Sequence, residues 1–293
     1  RRSSDLGLSH AQYDGMSLPR LLQDLESLYT GAKIVDFEPF SSYMTLVSNT
    51  RAHSSSFAYW RNLLNASILS ILPGPTTQPT DKATFQTHPV PTFIPLQEIT
   101  TATLLSAAWA LLLARRLRTA DVTFASVTSG RTNDLPNVEN VMGPCYQLTP
   151  LRVAFSREWT ALELLRFIQN QSAESSAHDY VGFSAVKEKC TQWPKEVGVD
   201  SIVHHQDFED FDTMPFAGGE CKVDILNPHG DAAAPLKAVS FIKGGVLHVG
   251  IVGSERDTEF VDVILRELAA AVEELAVRPS GLLVLDGMFD SAE

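Results

Sequence analysis

An imidazole stands four residues ahead of a carboxylate and a glycine in Ser9-His10-Ala11-Gln12-Tyr13-Asp14-Gly15, and Ser17 follows shortly after. With a reference pKa of about 6.5, a histidine can take and return a proton at neutral pH. A loop can present it to a cleft. Asp14 suits a structural part, ordering the loop by bonding backbone amides or an arginine, and Gly15 would allow a positive φ. The other reactive types offer less. Cys145, Cys190 and Cys221 are far apart and odd in number, which fits neither a zinc cluster nor a disulfide framework. They read as free thiols of a reducing compartment. None has a histidine beside it in sequence to make a nucleophilic thiolate. His204 and His205 are adjacent on a predicted strand and would point to opposite faces, so no metal is expected.

The elements that must position this loop read as interleaved helices and strands, which makes the class α/β. Leu6-Gly7-Leu8 resembles a strand end, whose partner strands would lie upstream. A helix opens at Leu18-Pro19, with Leu21, Leu22, Leu25 and Leu28 at helical spacing. A second helix is predicted from Ser54 through Leu64, and Pro73 to Pro79 is a breaker-rich linker. Apolar residues surround the predicted helix Ile99 to Leu117, the mark of a buried one. Strands are predicted over Asp121 to Thr128, around Val153 and Phe155, and over 201–208, 222–226, 236–243 and 246–252. Helices are predicted over Thr160 to Gln171, Ser184 to Cys190 and Glu259 to Val277, the last with Val263, Leu268, Val272 and Leu275 on one face.

Composition narrows the function. The 293 residues are 44% hydrophobic and 20% charged, an ordinary globular balance. A net charge of −12 without a basic cluster argues against a nucleic-acid partner. The longest apolar run, within Ala102 to Ala114, is too short to span a membrane. The first residues lack the apolar stretch of a signal peptide, so a cytoplasmic location is expected.

The loop is similar to the His-His-x-x-x-Asp-Gly signature of nonribosomal peptide synthetase condensation domains, of the chloramphenicol-acetyltransferase-like superfamily. Further segments resemble the family pattern in order. They are Phe40 and Tyr43, Tyr59-Trp60-Arg61 with Leu64, Ser129-Gly130-Arg131, Met142-Gly143-Pro144-Cys145 through Arg152, His204-His205-Gln206, and His248 to Val252. Ser9 stands where the family has its first histidine, and Gln147 near an expected asparagine. The form Ser-His-x-x-x-Asp-Gly-x-Ser, ending at Ser17, resembles terminal condensation-like domains of fungal synthetases, among them those forming fumiquinazoline and tryptoquialanine peptides.

That resemblance implies a two-lobed chloramphenicol-acetyltransferase-like fold, each lobe a mixed sheet with flanking helices, of which this chain lacks most of the first. Residues 1–55 would be the end of the N-terminal lobe with the active-site loop. Residues 56–293 would be the C-terminal lobe, with segments crossing back. His10 would be the catalytic base, with Ser9, Asp14, Gly15 and Ser17 supporting it. The arginine partner of Asp14 could sit in the missing lobe. Arg131 and Arg152 could contact substrate or carrier phosphate, with surface or inter-lobe ion pairing as their competing role. The implied reaction is release of a carrier-bound peptidyl thioester by intramolecular amine attack, a macrocyclisation. The substrate would be presented on the phosphopantetheine arm of an upstream carrier domain, with no directly bound cofactor. The alternatives are an elongating condensation domain and a non-catalytic carrier-docking domain. A coenzyme A-dependent alcohol acyltransferase is disfavoured, because its Asp-Phe-Gly-Trp-Gly segment is not found.

Overall fold

The computed structural model describes all residues except 1–7, 10, 35, 76, 79, 92–96, 133–134, 207–212, 217, 223–233, 286–287 and 290–293; side chains at 50–53 and 213–215 are also left aside. Three helices come first: α1 (Ser17–Thr30), α2 (Phe40–Ser48) and α3 (Thr50–Leu63). Strand β1 (Ala83–Val90) follows, then α4 (Thr101–Leu117), β2 (Asp121–Thr128), β3 (Gln147–Ala154), α5 (Ala161–Ser176) and α6 (Phe183–Cys190). Strands β4 (Ser201–Gln206), β5 (Thr213–Phe216), β6 (Gly219–Lys222), β7 (Leu236–Lys243) and β8 (Val246–Ser254) precede the last helix, α7 (Thr258–Val277).

Six strands form one mixed sheet in the order β1-β8-β7-β4-β2-β3. The central pairs β7–β4 and β4–β2 are parallel, and the outer pairs are antiparallel. Adjacent strand residues face opposite sides, and Phe124 and Ala125 show the consequence. Phe124 joins the large core under α4, α5 and α7, whereas Ala125 joins a second core with Trp60, Leu64, Phe183 and Trp193. Helices therefore cover one whole face, and α3 and α6 cover the other face near β2 and β3.

The predicted buried helix is α4, whose residues from Thr103 to Ala114 are all buried. The Thr100 hydroxyl caps it by accepting from the Thr103 amide at 3.1 Å. Trp109 lies at its centre, fully buried, with its indole N–H donating to Ser201 Oγ on β4 at 3.1 Å. A capping box between Thr160 and Glu163 starts α5. α7 buries Val261, Ile264, Leu265, Leu268, Val272 and Leu275, so its core stripe is centred slightly away from Val263.

Several boundaries differ from expectation. β3 runs from Gln147 to Ala154, so the strand begins well before Val153 and ends before Phe155. α2 and β1 form where no element was predicted. The predicted strand 201–208 forms as β4, with 207–208 outside the described residues; of the predicted strand 222–226 only Lys222, the last residue of β6, is described. Leu6 and Gly7 also lie outside them, and Leu8 belongs to no strand. In α1 only Ser17 is buried, and Leu25, Leu28 and Tyr29 are exposed, as is Met16 just before it. Among the described residues no helix is long and apolar enough to cross a membrane.

Trp109→Ala removes the largest side chain where α4 crosses the sheet and leaves Ser201 without its donor. A loss of about 3–5 kcal/mol in equilibrium denaturation is expected.

Candidate active site

Asp14 and Ser17 set the local conformation of the loop. The Asp14 amide donates to Ser17 Oγ and the Ser17 amide donates to Asp14 Oδ1, each at 2.9 Å, and the Leu18 amide donates to Asp14 O at 3.0 Å. This reciprocal pair satisfies donors that the start of α1 would otherwise leave open. Gly15 lies in the turn between them. Upstream, the Ser9 amide donates to Gln12 Oε1 at 3.0 Å and the Gln12 amide donates to Ser9 O at 2.8 Å. Ser9 is exposed and acts as a turn former. His10, the expected base, lies outside the described residues.

The Asp14 carboxylate is the centre of the arrangement. Arg131 grips it with two nitrogens, Nη1 to Oδ2 at 2.6 Å and Nη2 to Oδ1 at 3.0 Å. The Cys145 amide adds a bond to Oδ2 at 2.9 Å. The side chains of Arg131 and Asp14 are only 4% and 3% exposed. Two charges taken out of water cost several kcal/mol each, and good pairing geometry with extra hydrogen bonds must offset that cost. Those bonds are present: Arg131 Nη2 also donates to Val141 O at 3.2 Å and Gly143 O at 3.1 Å, and Nη1 to Ser129 O at 3.4 Å. Its Nε has no partner among the described residues.

Two expectations are corrected here. The partner of Asp14 is Arg131 of this same chain, so no residue of a missing lobe is needed. Arg131 also has no exposed guanidinium to offer a substrate or a carrier phosphate. Arg152 is likewise engaged elsewhere, and its competing role of ion pairing is the one it fills. It pairs with Asp121 through Nε at 3.0 Å and Nη2 at 2.6 Å, and Nη1 donates to Leu63 O and Asn65 O. Its work is to tie the end of α3 to β2 and β3.

Around the ion pair the backbone approaches closely. A Cβ on Gly130, at φ +65°, would lie 1.8 Å from Cys145 O and 2.8 Å from the Tyr43 hydroxyl. One on Gly143 would lie 2.5 Å from the Phe40 ring. The Tyr43 hydroxyl donates to Cys145 O at 2.9 Å and accepts from Gln147 Nε2 at 3.0 Å. Burial pushes the Tyr43 phenol up to about 12, which keeps it a neutral donor. Burial also pushes the Cys145 thiol up to about 11, so it is inert as a nucleophile. Tyr43 and Cys145 with Val138 and Val141 make a small apolar cluster that seats α2 against this junction.

His204 and His205 do not converge. The register places His205 on the core face, with Nδ1 at 2.8 Å from Ser240 Oγ, and His204 on the other. Among the described residues no group of three metal-ligating side chains occurs. Sequence reasoning passed over Asp179, a carboxylate only 1% exposed in the short 3-10 turn after α5, which follows His178 without any motif to signal it.

Replacing Arg131 by Met strands the Asp14 carboxylate in a buried site. A loss of about 3–5 kcal/mol in denaturation is expected, with part recovered when Asp14→Asn is added. Gly130→Ala should be at least as damaging as Asp14→Asn, because its methyl meets a backbone carbonyl; thermal melting of the two variants makes the comparison.

Comparison with known proteins agrees with this geometry. A family model described as "Condensation domain" matches residues 8–276. The chain is 62% identical over 285 residues to nonribosomal peptide synthetase sidD of Aspergillus fumigatus, covering 97% of this chain and 14% of that protein. It is 37% identical over 278 residues to nonribosomal peptide synthetase 6 of Cochliobolus heterostrophus, covering 91% of this chain and 15% of that protein. It thus spans only a small fraction of the length of these relatives. Among solved structures, "The crystal structure of CT" superposes with a TM-score of 0.82 at 23% identity, over 94% of this chain and 63% of that chain. The matched family, the synthetase relatives and the shared fold agree: the chain belongs to the condensation-domain family.

Proposed function

We propose that the chain carries the active-site half of a domain that releases a finished peptide by cyclisation. Condensation domains are acyltransferase-type enzymes that need no cofactor of their own. Their substrates arrive on the phosphopantetheine of carrier domains in the homologous synthetases. In this reading a peptidyl thioester on an upstream carrier domain enters the cleft, and an amine of the same peptide attacks the thioester carbonyl. The new C–N bond forms as the C–S bond breaks. His10 takes the proton from the amine and returns it to the departing thiol sulfur.

The observation that carries the reading is the buried ion pair of Asp14 and Arg131. It pins the far end of a Ser-His-x-x-x-Asp-Gly-x-Ser loop, and Ser17 completes the pin. General-base help of this kind contributes roughly 10²–10⁴-fold, and holding both ends of one chain in reach removes further entropy from the barrier. Ser9 cannot serve as a second acid–base group. Its place in an exposed turn fits a loop in which only His10 does chemistry.

Residues 1–55 are taken as the end of the first lobe and 56–293 as the second. The uncovered leucines of α1 support this, since an amphipathic helix needs a partner for its apolar stripe. On this division the Asp14–Arg131 pair joins the lobes. The working location is the cytoplasm, with no nucleic acid or membrane as partner.

The test is single-turnover release in the full-length synthetase, loaded on its last carrier, followed by mass spectrometry. Cyclic product should form in the wild type, and His10→Ala should slow it at least about 100-fold. Native-rate cyclisation by the variant contradicts the mechanism. Transfer to a second carrier instead of cyclisation identifies an elongating domain.

A further inference from the structure

Asp179 is a buried carboxylate that forms no ion pair among the described residues. Its Oδ2 accepts from Thr128 Oγ1 at 2.8 Å, and no hydrogen bond to Oδ1 is formed among the described residues. Thr128 is the last residue of β2, directly before Ser129-Gly130-Arg131. Thr128 also pairs across the sheet with Gln147, whose amide holds Tyr43 and Cys145 O. The Asp179 bond therefore fastens the point where the chain leaves the sheet to supply the arginine that grips Asp14.

We infer that Asp179 is a positioning residue of the active site, acting through Thr128 on the Ser129–Arg131 segment and so on the Asp14 loop. This rests on the reading that the loop performs the acyl transfer. A buried carboxylate held by neutral donors alone is costly. Asparagine would fill the same space without a charge. What the charge adds is strength in the bond from Thr128, since hydrogen bonds to an ionised acceptor are shorter and stronger.

Burial pushes the acid up to about 6, while the bond from Thr128 and the local amides pull the other way. Among the described residues, the Tyr43 phenol of α2 feels its charge, and His178 and Tyr180 adjoin it in sequence. Burial keeps the Tyr43 phenol protonated and lowers the His178 imidazole, so neither brings a charge at neutral pH. Arg131 spends its charge on Asp14. Because the folded protein holds this proton more tightly than the unfolded chain, the stability Asp179 supplies in acid is lost as pH rises through about 6. The anchoring bond strengthens over that same interval. Stability and positioning thus run in opposite directions.

The experiment compares wild type, Asp179→Asn and Thr128→Val in the full-length synthetase. Single-turnover release from the loaded carrier is followed between pH 5 and 8.5. The ratio of wild-type to Asp179→Asn rates cancels every titration the two proteins share, including that of His10. It should be close to one at the acid end, rise through about pH 6, and level off at roughly tenfold, below the roughly hundredfold cost of a 1 Å misplacement. Thr128→Val should match the asparagine variant at pH 8. Amide exchange at pH 8 should show residues 129–131 less protected in both variants. A ratio that stays at one, a loss that does not vary with pH, or a silent Thr128→Val overturns the assignment of Asp179. If His10→Ala leaves release unchanged, the functional reading itself fails, and the exchange at 129–131 still decides whether Asp179 anchors that segment.

Discussion

A carboxylate and a guanidinium that cannot reach water must be matched almost completely by their surroundings, and Asp14 and Arg131 impose that demand on this chain. Asp14 receives two nitrogens of the arginine and the amides of Ser17 and Cys145. The two terminal nitrogens of Arg131 also donate to the carbonyls of Ser129, Val141 and Gly143. Three separate stretches of backbone are held in one place as a result: the loop before α1, the exit of β2 and the approach to β3. Such a pair contributes little net stability against a well-packed apolar substitute, yet losing one member is severe. Its value is that it admits one arrangement of the three segments.

The packing around the pair follows from that arrangement. Cys145 presents its amide to Asp14 and its carbonyl to Tyr43, so the backbone between β2 and β3 passes very close to Gly130. Glycine is required there by space as well as by φ. Tyr43 seats α2 on the junction, and Gln147 completes its hydrogen bonding. The network is continuous from Asp14 to the sheet, so the start of α1 is tied to β2 and β3. If the loop carries the proposed reaction, that tether is what keeps its reacting group in place.

Much of this was legible before any coordinates. α4 and α7 announce themselves by apolar residues at helical spacing, and β2 and β8 by runs of β-branched residues. The structural part of Asp14 was also readable, because a short loop ending in Asp-Gly at the start of a helix needs its amides satisfied. Its partner was not readable, since Arg131 lies 117 residues away and only the fold brings it close. Strand β1 escaped notice because Thr-Phe-Gln-Thr-His-Pro has little apolar content, and as the outermost strand it needs little. α2 was missed because its serines and threonines carry no helical signal. Tertiary packing of Phe40 and Tyr43 holds it instead. Asp179 gave no signal, because only its burial makes it unusual.

Energetic coupling between Asp14 and Arg131, read in the rate of the reaction, tests the central claim most directly. Asp14→Asn, Arg131→Met and the double variant would be compared for single-turnover release in the full-length synthetase. If one shared ion pair holds the loop in place, the double variant should lose little more rate than the worse single variant. Independent losses that multiply, or single variants that release product at the native rate, would show that the pair does not hold the catalytic loop.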